Sequence, residues 1–201
     1  MKINSVVKDI GAVALPTFGG DQLYMHPVDV VTRQLPAAFS RWEDTVSILL
    51  DRAQVKEGIV YLTIDEKELT PGKSHRRGGA HVDGVWIPEM SAHGRPGHVV
   101  RVGGWEAPTG RWKEASNGGG LVLLSSVEGC KAWAGEFEGE PGVGGDLEHI
   151  RGQLDASAAT PLRAGNAYLL NVWGVHESVP VTRLVQRSLV RLTLPESVVI
   201  H

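Results

Sequence analysis

Apolar and polar positions alternate with a period of two along most of this 201-residue chain, in short runs cut by Gly and Pro. That period belongs to strands with one face buried. From Gly58 to Leu69, Val60, Leu62 and Ile64 alternate with Tyr61, Thr63 and Asp65, so a strand is expected there. Further strand-like runs are His98–Val102, Leu121–Val127, Lys131–Phe137, Ala167–Val172, His176–Val181 and Leu184–Leu194. A turn-rich piece carrying Trp105 and Trp112 fills Gly103 to Gly120. One stretch has the helical period instead: Trp42, Val46, Leu49, Leu50 and Ala53 predict an amphipathic helix over residues 41–53 that covers one side of a sheet. Ser40-Arg-Trp-Glu43 ahead of it has the spacing of a capping box. The first 37 residues show no clear period, as short strands and irregular cover do. Gly135–Gly145 reads as a mobile loop and candidate lid, and Asp146–Leu154 as a short helical turn. The pattern predicts an all-β sandwich or barrel with one helix packed outside.

Bulk properties narrow the picture. A chain of 201 residues with 42% apolar and 21% charged residues suits a single folded domain with a sizeable core. A net charge of -3 gives no global electrostatic reason to expect nucleic acid or an anionic membrane. No apolar run approaches membrane-spanning length and the N-terminus lacks a signal-peptide core, so a cytoplasmic protein is expected. Cys130 is the only cysteine, which rules out an internal disulfide and a thiolate metal cluster; a buried structural thiol is expected. Charge is uneven. Pro71–Lys113 holds seven Lys/Arg against Asp83, Glu89 and Glu106, whereas Glu128–Asp155 holds seven acids against Lys131 and Arg151.

Candidate chemistry starts at His81-x-Asp83, an imidazole and a carboxylate that an extended backbone points to the same side. Of the other histidines, His26, His75, His93, His98, His149 and His201 stand in loop-like contexts without a ligand partner at useful spacing. Asp146-Leu-Glu148-His149 has metal-like composition, but acids at the start of a short helix are expected for dipole reasons alone. His176 differs: it ends the apolar run from Tyr168 and precedes Arg187 and Arg191. Alternation puts Arg187, Leu189, Arg191 and Thr193 on one face of the last strand and Ser188, Val190, Leu192 and Leu194 on the other. Guanidinium does not lose its charge, so two arginines facing the same way need anionic partners.

The ordered set His81-x-Asp83, His176, Arg187 and Arg191 on a β-rich chain resembles the iron(II)/2-oxoglutarate-dependent dioxygenases, over about residues 58–194. The His-x10-Arg-x3-Arg spacing is similar to the taurine-dioxygenase-like branch of that family. The resemblance implies a double-stranded β-helix, or jelly-roll barrel, spanning 1–201 as one domain, with 1–57 as N-terminal cover and helix and 58–194 as catalytic core. It implies that His81, Asp83 and His176 hold Fe(II) with positions left open for 2-oxoglutarate and O2. Arg187 is then the first choice for the distal carboxylate of 2-oxoglutarate. The commoner family pattern, Arg-x-Ser/Thr, is met by Arg191-x-Thr193 and not at Leu189, so the two arginines could exchange roles. The implied reaction is hydroxylation of a C–H bond with release of succinate and CO2; demethylation and desaturation would use the same site.

Arg76, Arg77, Trp86, Arg95, Arg101 and Trp105 are close to the metal stretch in sequence and are candidates for the pocket wall. A basic run with tryptophans suits a small anion, and it leaves a nucleotide or single-stranded nucleic acid open as substrate. The alternative to an enzyme is a non-catalytic cupin-like or β-sandwich binding module.

Overall fold

The computed structural model describes residues 1–84 and 118–201. The strands, in chain order, are β1 (Lys2–Ser5), β2 (Val7–Ala12), β3 (Gln22–Asp29), β4 (Ile59–Leu69), β5 (Gly118–Ser125), β6 (Cys130–Trp133), β7 (Gly135–Glu138), β8 (Thr160–Pro161), β9 (Asn166–Asn171), β10 (Val175–Ser178) and β11 (Val185–Val199). Among the described residues the α-helix is α1 (Glu43–Arg52). The chain is mainly β, with antiparallel sheets compatible with a sandwich or jelly roll. A six-stranded sheet runs β2-β9-β5-β11-β4-β3, a three-stranded one β10-β6-β8, and β1 pairs with β7. No described helix is long and apolar enough to cross a membrane.

The large sheet has two unlike faces, and β11 at its centre shows why. Register places Val190 beside Ile64 of β4 and Leu124 of β5, and Leu192 beside Leu62 and Val122. These residues and Leu194 form the core under α1, where Trp42, Val46, Leu49 and Leu50 are fully buried. Each such side chain contributes about 1.5–3 kcal/mol through burial. One residue along, Arg191 lies beside Thr63 and Leu123, and Leu189 beside Asp65. That face looks toward the small sheet and carries the polar chemistry.

Several boundaries differ from expectation. The capping box does not form: Ser40 lies inside a 3-10 helix, Ala37–Trp42, that runs directly into α1 without a side-chain cap. The run expected as one strand from Lys131 to Phe137 is two, β6 and β7, in different sheets. Gly135, at φ +137°, makes that change of direction and is a conformation a side chain would resist. The first part of the expected lid is therefore strand, and the loop begins after Glu138. β11 continues past Leu194 to Val199. The strand expected at His98–Val102, the turn-rich piece, and Trp86, His93, Arg95, Arg101, Trp105 and Trp112 lie outside the described residues.

Candidate metal centre

His81 and His176 are joined through their own backbones. His81 N donates to His176 O and His176 N donates to His81 O, both at 3.0 Å, the closed double bond of an antiparallel pair. On its other side the His81 stretch is held by Val82 N to Gly145 O at 3.0 Å and Leu147 N to Ala80 O at 2.9 Å. Residues around 80–82 thus add a further rung beside β10. The preceding Gly79 is at φ +83° and Gly84, just after Asp83, at φ +68°, so both turn the chain where a side chain would strain it.

The pairing brings His81, Asp83 and His176 into one group, each offering a ligand atom within 4.8 Å of the others. The two rings stand 4.4 Å apart, and His176 Nε2 is 3.9 Å from Asp83 Oδ2. Both imidazoles are oriented alike: Nδ1 of His81 lies 2.7 Å from Gly79 O, and Nδ1 of His176 lies 2.9 Å from Gly174 O. A carbonyl only accepts, so each Nδ1 carries the proton and each Nε2 lone pair is left for a metal. Burial, reinforced by neighbouring His176, pushes the His81 imidazole down to about 3, with Asp83 and the Gly79 carbonyl opposing in part. His81 is therefore neutral at ordinary pH, the form a metal needs. Two imidazoles and one carboxylate could hold a divalent transition metal.

The two arginines separate. Arg191 lies beside the group, where Nη1 donates to Asp83 Oδ2 at 3.0 Å and Nη2 approaches Met25 Sδ at 3.4 Å. Its Nε is buried without a hydrogen-bond partner. The Thr193 hydroxyl, two residues on, approaches the same Met25 sulfur, at 3.9 Å. Arg187 has no exposed surface at all. Its Nε donates to Ser125 Oγ at 2.8 Å, while Nη1 and Nη2 reach Gly129 O and Cys130 Sγ at 3.5 Å each. No carboxylate among the described residues pairs with it. Leaving a buried cation without an anion costs several kcal/mol. Gly129 makes room, because a Cβ there would run into the Arg187 guanidinium.

A cavity of about 400 Å³ opens over the group, lined by His81, Asp83, His176 and Arg191. Cys130 and Ser178 are also in its wall. Cys130 Sγ touches both Arg187 and, at 3.8 Å, Ser178 Oγ, so Arg187 stands directly behind the cavity wall. Ser125, Cys130 and Ser178 carry no local signal that links them to an arginine on another strand. Ser178 could have been found as the second residue after His176, on the same strand face. His75, read as a loop histidine, is buried in the wall with Nε2 3.0 Å from Asp65 Oδ2 but off the hydrogen-bond direction. Asp146-Leu-Glu148-His149 is structural in the described residues: Glu148 Oε1 accepts from Ala80 N, and Arg151 pairs with Glu148 and Glu177.

No family model matches the chain, and no curated protein matches it in sequence. Among solved structures, it is similar to the crystal structure of AviO1 from Streptomyces viridochromogenes Tue57, at 12% identity and a TM-score of 0.44, over 96% of this chain and 91% of that one.

Proposed function

We propose that the protein is an Fe(II)- and 2-oxoglutarate-dependent oxygenase that hydroxylates a C–H bond of a small substrate. The observation that carries this reading is Arg187: a fully buried guanidinium with no carboxylate partner among the described residues, set behind the wall of a cavity that holds a His–Asp–His group. A metal site of this donor set next to an orphaned cation is what a chelating dicarboxylate requires, one end for the metal and one for the arginine. Iron held there with 2-oxoglutarate and O2 would supply the oxidation, with succinate and CO2 released.

The chain's own residues do the rest. His81 and His176 present Nε2 while the Gly79 and Gly174 carbonyls hold their rings. Asp83 supplies the carboxylate, and Arg191 fixes its orientation through Oδ2. Arg187 takes the distal carboxylate as a charge-assisted pair, with the Ser125 hydroxyl fixing its Nε. A carboxylate reaching Arg187 replaces the weak contact with Cys130 Sγ, an exchange that strengthens the guanidinium's hydrogen bonding.

A non-catalytic binding module is the second reading. The Arg191–Asp83 pair at 3.0 Å favours it, because that contact neutralises the carboxylate without a metal. Anaerobic titration of the protein with Fe(II) and 2-oxoglutarate separates the two. A weak visible charge-transfer band, followed by succinate under air, is expected for the oxygenase. No band and no succinate would sink it.

A further inference from the structure

We infer that the cavity selects an oxyanionic substrate, a small molecule bearing a carboxylate, sulfonate or phosphate, through Arg77 and Arg76 at its rim. The inference rests on the oxygenase reading for its chemistry, but on separate residues for its evidence.

Charge balance is the first ground. Among the described residues, the titratable side chains lining the cavity include three arginines, Arg76, Arg77 and Arg191, against one carboxylate, Asp83. Iron(II) and the 2-oxoglutarate dianion cancel each other, so loading the site leaves that excess in place. A cavity walled by one sign of charge focuses its field and draws ligands of the other sign. Arg191 spends itself on Asp83, and Arg187 lies behind the wall. The excess that a substrate can reach is therefore at Arg76 and Arg77.

The second ground is how those two are held. Arg77 is exposed, has no carboxylate partner among the described residues, and is anchored by Nη2 to Gly144 O at 2.8 Å. A backbone carbonyl positions the guanidinium while leaving its charge unneutralised, which keeps the other donors open. Gly144, at φ +65°, allows the approach, since a Cβ there would come within 2.9 Å of Arg77 Nη1. Arg76 is steadied by Asp65 Oδ2 at 3.6 Å, but that oxygen also pairs with Lys67 at 3.2 Å and has His75 Nε2 3.0 Å away. One carboxylate among three groups orients Arg76 without cancelling the surplus. Tyr24, largely exposed, stands at the same rim. Two planar forks on adjacent residues, each pinned from behind, make a clamp for three oxygens on one centre or two on a carboxylate.

The test uses small probe anions on the full chain. Methylphosphonate, methanesulfonate and acetate are titrated calorimetrically, with Zn(II) and 2-oxoglutarate present to fill the metal and Arg187 sites; dimethyl sulfone is the neutral control. At least one anion should bind, weaken with added NaCl, and lose at least about tenfold in affinity in R76A/R77A, while R76K/R77K keeps most of it. Circular dichroism checks that each variant is folded. The three probes tell which oxyanion is preferred. No anion binding above the neutral control, or unchanged affinity in R76A/R77A, overturns the inference. The two readings fail separately: if the unaltered protein never shows the iron–oxoglutarate band yet binds anions in a way that depends on Arg76 and Arg77, the clamp stands and the oxygenase falls.

Discussion

Two buried charges lie one strand position apart and have opposite fates. Glu66, beside Ser188 in the β4–β11 register, is on the α1 side of the large sheet with its side chain fully buried. It is saturated: it accepts from Ser188 Oγ at 2.6 Å, Arg41 Nη2 at 2.8 Å, and the Gly19 and Asp21 amides at 2.9 Å each. Burial pushes its carboxyl up, but Ser188, those amides and Arg41 together hold it below the usual range. Arg187, next to Ser188 and on the other face, is equally buried and meets, among the described residues, a hydroxyl, a carbonyl and a thiol. Glu66 is both hydrogen-bonded and charge-paired; Arg187 is hydrogen-bonded but has no carboxylate partner among the described residues, and that difference is the basis of its proposed role.

Substitutions on the two faces should break this symmetry. Glu66→Ala, which strands two amides and leaves Arg41 to Asp21, is expected to cost about 3–5 kcal/mol in urea unfolding. Arg187→Met should leave stability within about 1 kcal/mol, because it removes a charge that no described carboxylate pairs, yet weaken 2-oxoglutarate binding by about 2–5 kcal/mol. Equal stability losses in the two variants would show that Arg187 is also architectural. If Arg191→Met abolishes 2-oxoglutarate binding while Arg187→Met does not, the roles of the arginines are exchanged.

The hydrophobic residues of β11 allow the same contrast more gently. Leu192→Ala, under α1, should destabilise by about 3 kcal/mol in the same assay, whereas Leu189→Ala, in the cavity wall, should cost less, since water can fill the space it leaves. Matching losses would mean the cavity side is as close-packed as the helix side.

Acid should act on the cavity side. Burial raises the Asp65 carboxyl, but His75 and Lys67 bring it down to about 2 from 3.8, so its contribution is present above pH 3.8 and lost as pH falls toward 2. Burial lowers the His75 and His81 imidazoles below 6.5, so the unfolded chain takes up protons first as pH drops under that value. All three effects have one sign: the metal-free protein loses stability steadily from about pH 6.5 downward. Asp65→Asn should remove about 2 kcal/mol at pH 7 and show a flatter fall below pH 4, read from urea midpoints across pH. Smallest of all, Gly129→Ala should displace the Arg187 guanidinium and weaken 2-oxoglutarate roughly tenfold, about 1.4 kcal/mol, with little change in melting temperature.

Much of the candidate site was legible because its signals are local. His81 and Asp83 share a side through i, i+2 geometry, and alternation correctly divided β11 into Val190, Leu192 and Leu194 under the helix and Leu189 and Arg191 on the cavity. The helix was legible from its period, but its start was not: Ser40 has capping spacing, and the chain enters α1 through a 3-10 turn that makes a cap unnecessary. The split of β6 from β7 escaped because Lys131–Phe137 alternates throughout, while a single glycine, Gly135, redirects it.

By itself, then, the sequence determined which residues can share a face, because backbone geometry sets the side on which each side chain emerges whatever lies opposite. Tertiary structure decided what each face meets. His81 finds His176 through a backbone pair across 95 residues of chain. Asp83 finds Arg191, Glu66 finds four donors, and Arg187 finds no carboxylate among the described residues. Charge pairing depends on distance in space and on exclusion of water, and neither is written in the spacing of residues along a strand.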